Sequence, residues 1–155
     1  MKLTRLLHAA IALVVLCGSA FATDSFKIRT VAGTFDSVFF ELNNAIVDQG
    51  LVIDYTGHVH DMLTRTGDVT GSKSPYKQAR YVQFCSAKLT HAAVQADPQN
   101  LAICPYVVFI YELAAKPGTV QVGYRRPIGS NSEASKTAMA DIEKLLDQIV
   151  AAATK

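Results

Sequence analysis

Residues 34–50 read TFDSVFFELNNAIVDQG and predict an amphipathic helix, the clearest element of the chain. Thr34 is a residue type that caps helix N-termini, and Gly50 is a residue type that ends helices. The apolar residues between them recur at spacings of three and four, which places on one face Phe35, Val38, Phe39, Leu42 and Ile46. A helix with one apolar face needs a second layer to cover it, so this stretch predicts a layered fold.

Strand and helix patterns alternate on both sides of this helix. Strands are predicted over residues 26–31, 51–55 and 80–85, and a hairpin is predicted from residues 101–112 to 120–124. Further helices are predicted over residues 61–65, after Ser86, and after Ser130, which forms a capping box with Glu133. This order predicts an α+β fold, in which amphipathic helices cover a single mixed β-sheet of about five strands.

The run from Leu101 to Glu112 is the longest apolar stretch beyond the N-terminal region. Consecutive β-branched and aromatic residues from Val107 to Tyr111 favour a strand. Because the run does not alternate with polar residues, it predicts a strand that is buried on both of its faces.

The N-terminal residues 1–22 have the layout of a cleavable secretory signal: Lys2 and Arg5, a short apolar core, and an Ala-x-Ala ending at Ala22. Cleavage there leaves a single domain over residues 23–155, which begins at Thr23 and is periplasmic or secreted. A lipid anchor on Cys17 is the alternative, but Leu16 stands where lipoprotein signals need a small residue.

Charge argues against several classes of partner. Removal of Lys2 and Arg5 from the 15 basic residues leaves 13, equal to the 13 acidic residues of the chain. A neutral domain lacks the basic surface of a nucleic-acid-binding protein. After the signal, no apolar run reaches the length of an integral membrane segment.

The run His58-Val59-His60-Asp61-Met62 carries the most distinctive chemistry. If the strand before it continues, His58, His60 and Met62 point to one side, because alternate residues of a strand share a face. Imidazole and thioether ligands suit haem iron or copper, so this set is the candidate metal or cofactor site. The alternative is two exposed histidines beside a core methionine, and a helix beginning at His58 would separate the two rings.

Cys85 and Cys104 form an even pair once the signal is removed. Three interpretations remain open: both pack as small apolar side chains, they form a disulfide, or Cys85 is a reactive thiol beside the helix that Ser86 caps.

From Phe35 to about Pro127 the sequence resembles the DUF302 family, a set of small domains without an assigned function. The quoted pieces occur in the family's order: a Phe-led helix ending in Gly50-Leu51-x-Ile53, a strand led by Pro75, then Cys85-Ser86-Ala87, Leu89-Thr90-His91, Ala96-Asp97-Pro98, and Pro105 leading valines into Tyr111-Glu112.

This resemblance implies a compact α/β domain that often forms a homodimer, and it implies no particular reaction. Two departures concern the cysteines: the family's Asn-Pro is absent after Cys85, and its second cysteine falls on Tyr106 rather than on Cys104.

Motifs for catalysis are absent, since the sequence contains no Gly-x-Ser-x-Gly, no glycine-rich phosphate loop and no His-Glu-x-x-His. An enzyme is therefore disfavoured. The first hypothesis is an exported module that binds a small ligand, with haem or copper as candidates. The alternatives are a thiol-based redox or sulfur-handling protein using Cys85, and an accessory protein without chemistry.

Overall fold

The computed structural model describes residues 25–155, so the signal predicted over residues 1–22 lies outside it. The strands are β1 (Phe26–Ala32), β2 (Ile53–His58), β3 (Tyr76–Phe84), β4 (Tyr106–Leu113) and β5 (Thr119–Arg125). The α-helices are α1 (Phe35–Val47), α2 (Val59–Thr70), α3 (Ala87–Ala96) and α4 (Glu133–Ala153), and a 3-10 helix spans Pro98–Ile103. None of the helices in this part of the chain is both long and apolar enough to cross a bilayer.

The five strands form one sheet in the order β1-β5-β4-β3-β2. The α+β fold with a single five-stranded sheet is confirmed. One detail differs, because all four strand pairs in the described chain are antiparallel, whereas a mixed sheet was predicted. The hairpins and the crossovers through helices return every strand antiparallel to its neighbours.

The core lies between one face of the sheet and the helices α1, α3 and α4. The predicted face of α1 is buried there, and Leu42 and Ile46 are fully inaccessible to solvent. The strands contribute alternate residues to the same cluster, namely Val82, Phe84, Tyr106, Val108, Ile110, Val120, Val122 and Tyr124. Side chains at the intervening strand positions therefore point to the opposite face, which none of these three helices covers.

Side-chain caps fix where the core helices begin. The backbone N–H of Ser37 donates to Thr34 Oγ1 at 3.2 Å, and that of Leu89 donates to Ser86 Oγ at 3.4 Å, as predicted for α1 and α3. The cap of α4 is Ser132 rather than Ser130. Ser130 instead contacts Ser135 Oγ at 2.7 Å, and its N–H donates to the buried Asn100 at 3.1 Å.

Strand β4 differs from its prediction. Residues 98–103 form the 3-10 helix, and the strand begins only at Tyr106. Along it, buried residues alternate with half-buried ones, so a single face lies in the core. The expectation of a strand buried on both faces is therefore wrong, and Phe109 and Tyr111 lie on the uncovered side.

Helix α2 is longer than the predicted helix over residues 61–65. It begins directly after β2, continues through Gly67, and ends at Gly71, whose left-handed φ of 72° suits a C-cap glycine. None of its residues is fully buried. Helix α2 packs against β3, apart from the layer of core helices.

Candidate functional site

A groove of about 660 Å³ lies on the open face, which is the sheet face opposite α1, α3 and α4. Its volume falls in the range of about 300–1,000 Å³ that is usual for sites binding small molecules. Strands β3 and β4 form its centre, residues of β1 and β5 line one side, and Val59 of α2 lies at its border. The side chains that define it are Phe26, Ile28, Tyr76, Tyr81, Val107, Phe109, Tyr111 and Arg125.

Aromatic rings contact one another along the open face. Phe109 lies between Phe26 and Tyr111, with ring centroids 6.3 Å from each, and Tyr111 meets Tyr76 at 5.4 Å. These separations are typical of attractive ring pairs. The rings line the groove while they remain partly accessible, and Phe26 is 56% exposed. The groove thus offers a continuous aromatic surface to a bound molecule.

Two glycines give the rings of Tyr81 and Phe109 room to lie down on the sheet. Tyr81 pairs with Gly57 across β3 and β2, and a Cβ atom at Gly57 would overlap the Tyr81 ring. A Cβ atom at Gly123 would come within 2.6 Å of the Phe109 ring. Since Gly57 and Gly123 lie on opposite sides of the β3–β4 pair, the two rings lean apart and leave a trough between them.

The groove has a polar component. Burial raises the pKa of Tyr111, and the nearby phenol of Tyr76 adds to the effect, so the Tyr111 hydroxyl stays protonated at neutral pH. Arg125 lies on β5 opposite Phe26 of β1. Arg80 also lines the groove, but its guanidinium lies 4.7 Å from the ring centre of Phe39 on α1.

The structure does not bring His58, His60 and Met62 together on one face. Strand β2 ends at His58, and the next residues are helical, so a spacing of two residues separates the rings around the helix axis. The helical alternative therefore describes this segment, and the condition for a shared face, continuation of the strand past His58, is not met. His58 Nδ1 lies 3.7 Å from Asp61, whereas Met62 is 49% exposed.

His60 Nδ1 is buried and has no hydrogen-bond partner within residues 25–155. No group of three His, Cys, Asp or Glu side chains in the same range is placed to hold a metal ion. The geometry of the described chain therefore gives no support to haem or copper ligation by His58, His60 and Met62.

Cys85 and Cys104 are joined in a disulfide, with their Cα atoms 5.8 Å apart. The bridge ties the end of β3, just before α3, to the residue that ends the 3-10 helix before β4. In this form Cys85 has no free thiol, so a thiol-based activity would require reduction of the bridge first.

A second cluster of titratable groups lies between β1 and α4. Lys27 Nζ contacts Glu143 at 2.9 Å and Asp147 at 3.1 Å, and the Tyr124 hydroxyl donates to Asp147 at 2.8 Å. Arg126 completes the cluster with a 3.0 Å contact to Glu143. Each carboxylate has positive or hydroxyl partners within the cluster, so its evident role is to hold the edge strand β1 on α4.

Hydrogen bonds from these partners set the acidity of the two carboxylates. Burial alone would raise the pKa of Glu143 and Asp147, but the bonds they accept outweigh it and lower both values. For Lys27, the hydrogen bonds to Glu143 and Asp147 raise the pKa, so the side chain remains charged.

The fold defines a small α+β domain with one antiparallel sheet, the helices α1, α3 and α4 on one face, and an aromatic groove on the other. The sequence profile of DUF302, described as a domain of unknown function, matches residues 27–153, and this chain belongs to that family. A search of the curated proteins found no match.

A solved structure with a similar fold is the crystal structure of an uncharacterized conserved protein DUF302 from Bacillus stearothermophilus. It superposes with a TM-score of 0.72 at 17% sequence identity, over 85% of this chain and 99% of that chain. At this identity the likeness is evidence for the fold.

The groove residues were not among the site residues predicted from the sequence. Tyr81, Phe109 and Tyr111 occupy strand positions that sequence patterns assign to the core, because aromatic residues usually indicate burial. The available signal was an odd spacing: Tyr81 and Phe84 in β3, like Tyr106 and Phe109 in β4, are three residues apart, which puts rings on both faces of the sheet.

Proposed function

We propose that this protein is a binding module for a small, planar, apolar molecule, and that the groove on the open face is its site. The observation that carries the proposal is the row of aromatic rings on a sheet face that no helix of the core layer covers. An apolar surface kept accessible in this way is typical of an interaction site, since apolar rings are otherwise buried.

The arrangement of the groove agrees with a binding site better than with a catalytic one. Apolar side chains form most of its lining, and the polar groups are few: tyrosine hydroxyls, Gln83 and arginines. Neither a histidine nor a carboxylate is among the lining residues, so the groove lacks the side chains that most often serve as general base or acid. Selective binding by shape and stacking is the chemistry these residues support.

Haem and copper, the candidates from the sequence, differ in how they relate to this groove. Copper needs several ligands placed close together, and His58, His60 and Met62 do not share a face. Haem has a planar, apolar macrocycle with two propionates at one edge, so its ring system belongs to the class of molecule proposed for the groove. An absorption titration with haem is the test, and a Soret shift in the wild type that the variant His58→Ala leaves unchanged is expected if the groove binds it.

Fluorescence titration with phenylnaphthylamine, a neutral planar probe, tests the groove directly. We expect saturable binding at one site per chain by the natively folded protein. The variant Phe109→Gln removes a ring from the groove floor and should weaken binding roughly tenfold, since a stacking ring contributes about 1–3 kcal/mol. Phe26→Gln, at a more exposed position, should weaken binding less.

Phe40→Gln is the matched control, because Phe40 is 62% exposed on α1 and lies far from the groove. Circular dichroism establishes that each variant is folded. Absence of binding by the folded wild type, or equal weakening by Phe40→Gln and Phe109→Gln, would overturn the proposal.

The homodimer, which the family resemblance implies, and the export, which the N-terminal sequence indicates, remain predictions. Sedimentation velocity of the domain tests the first. If a dimer forms and buries the open face, phenylnaphthylamine will not bind, and a second copy of the chain is then the occupant of that face in place of a small molecule.

A further inference from the structure

One cationic side chain on the open face has no partner of opposite charge. Arg125 is exposed at the end of β5, and no carboxylate of the described chain lies within ion-pair distance of its guanidinium. Its neighbour Arg126 differs, because it pairs with Glu143 on α4. The side chains of these two adjacent arginines thus lie on opposite faces of the sheet, because successive side chains along an extended chain point to alternate faces.

The second charged residue that lines the groove, Arg80, makes its contacts on the opposite face of the sheet. The Arg80 guanidinium lies over the rings of Phe35 and Phe39 at 5.3 and 4.7 Å, on the side of the sheet that α1 covers. No aspartate, glutamate or lysine lines the groove. Arg125 is therefore the charged group that a molecule on the aromatic floor can reach, and it makes that end of the groove positive.

We infer that the ligand is an aromatic anion, with a carboxylate or sulfonate that pairs with Arg125 while its ring system packs against Phe109 and Tyr111. This inference rests on the proposed function of the groove. A planar guanidinium binds the two oxygens of such a group side by side, which orients the ligand as well as adding affinity. The rings of Tyr81 and Phe109 bound the trough between them, so a flat body fits better than a branched one.

Two fluorescent probes with the same ring system distinguish binding of an aromatic molecule from recognition of its negative charge. Phenylnaphthylamine is neutral, and anilinonaphthalene sulfonate carries one sulfonate in addition. We expect the folded wild type to bind the sulfonate probe roughly tenfold more tightly than the neutral probe, a typical gain from a charge-assisted hydrogen bond in an accessible site. Added salt should reduce this preference, because it screens the exposed charge pair.

Substitutions test whether Arg125 is the residue that recognises the sulfonate. Arg125→Gln should abolish the preference for the sulfonate probe, so that the two probes bind with equal affinity. Arg125→Lys should keep part of the preference, and Lys144→Gln, which removes an exposed cation from α4, should leave it intact.

The possible outcomes are distinct. Equal affinities of the wild type for the two probes, or a preference that survives Arg125→Gln, would overturn the inference and leave the groove as a site for neutral ligands. Failure of both probes to bind would overturn the proposed function itself.

Discussion

Gly57 shows how a single residue shapes the open face. Its backbone has an ordinary strand conformation, so the glycine is not needed for a turn. What it provides is space, because the Tyr81 ring occupies the position that a side chain at residue 57 would take. The same relation holds between Gly123 and Phe109, although there the carbonyl oxygen of Lys27 also approaches.

Replacement of Gly57 by alanine should therefore act on the groove more than on the fold. The new methyl group overlaps the Tyr81 ring and pushes it upright toward Phe109, which narrows the trough. We expect the affinity for phenylnaphthylamine to fall about three- to tenfold, equivalent to about 0.7–1.4 kcal/mol. Fluorescence titration of Gly57→Ala measures the effect, and Asp54→Ala, at an exposed position on β2, is the control. Unchanged affinity in folded Gly57→Ala would show that the trough does not hold the ligand.

The site residues predicted from the sequence show what a sequence pattern does not determine about single residues. His58, His60 and Met62 share a face only if the strand continues, and the sequence does not determine where β2 gives way to a helix. The groove was missed for the opposite reason. Its aromatic residues look like core residues until the sheet is assembled, and only the packing of the helices decides which side of the sheet is covered.

Among the elements, α1, α3 and the β4–β5 hairpin were predicted well because their signals are local: caps, a 3.6-residue period, and a turn at Pro117-Gly118. Helix α2 and the start of β4 were not. Glycine at 67 reads as a helix breaker, yet α2 continues through it to Gly71. The apolar residues 101–103 read as strand, yet Pro98 begins a 3-10 helix there.

The disulfide links two elements and should stabilise the fold. Its closed loop has a sequence separation of 19 residues, from the end of β3 to the approach of β4. The double variant Cys85→Ser/Cys104→Ser should lower the free energy of unfolding by about 2–4 kcal/mol, because the unfolded chain gains conformational freedom. Urea unfolding under oxidising conditions measures the difference. A variant as stable as the wild type would show that the bridge contributes nothing to stability.

The ion-pair cluster between β1 and α4 should make the free energy of unfolding depend on pH. The pKa values of Glu143 and Asp147 are lowered in the folded state, so their stabilising contribution is present above the ordinary carboxylate pKa of about 4 and is lost as the pH falls through the folded values. Lys27→Met removes the cation that contacts both carboxylates. We expect it to lower the free energy of unfolding by about 1 kcal/mol at neutral pH, since the cluster is partly exposed, and to have less effect at pH of about 3.

Urea unfolding of Lys27→Met and the wild type at both pH values checks this dependence. Lys136→Met is the control, since Lys136 pairs with Glu133, which is exposed. A deficit in Lys27→Met that persists undiminished in acid would mean that Lys27 acts through packing of its apolar stem and not through its charge.

At the scale of the whole molecule, the class of fold followed from the order of elements, and the family profile and the similar crystal structure agree with it. The pairing of the strands did not follow, because any hydrophobic strand can pair with several others until the helices are placed. The open face is a property of that assembly. It exists because α1, α3 and α4 all pack on one side of the sheet, a choice that no single segment encodes.

Export is also a property of the whole chain, and it predicts a particular mature protein. If residues 1–22 act as a cleaved signal, the protein recovered after secretion should begin at Thr23, where the Ala-x-Ala pattern places the cut. Intact-mass measurement of the secreted product reads the N-terminus directly. Recovery of an intact chain starting at Met1, or of a lipid-modified chain starting at Cys17, would contradict this expectation.

Amide chemical-shift mapping during titration with phenylnaphthylamine tests the central claim most directly, because it locates the ligand residue by residue. The open-face groove predicts saturable shifts at Tyr81, Phe109 and Tyr111 and at Val59 beside them, with little change along the outer surface of α4. Shifts centred on α4 or around Phe40, or no shifts at saturating probe, would show that the aromatic face of the sheet is not a binding site.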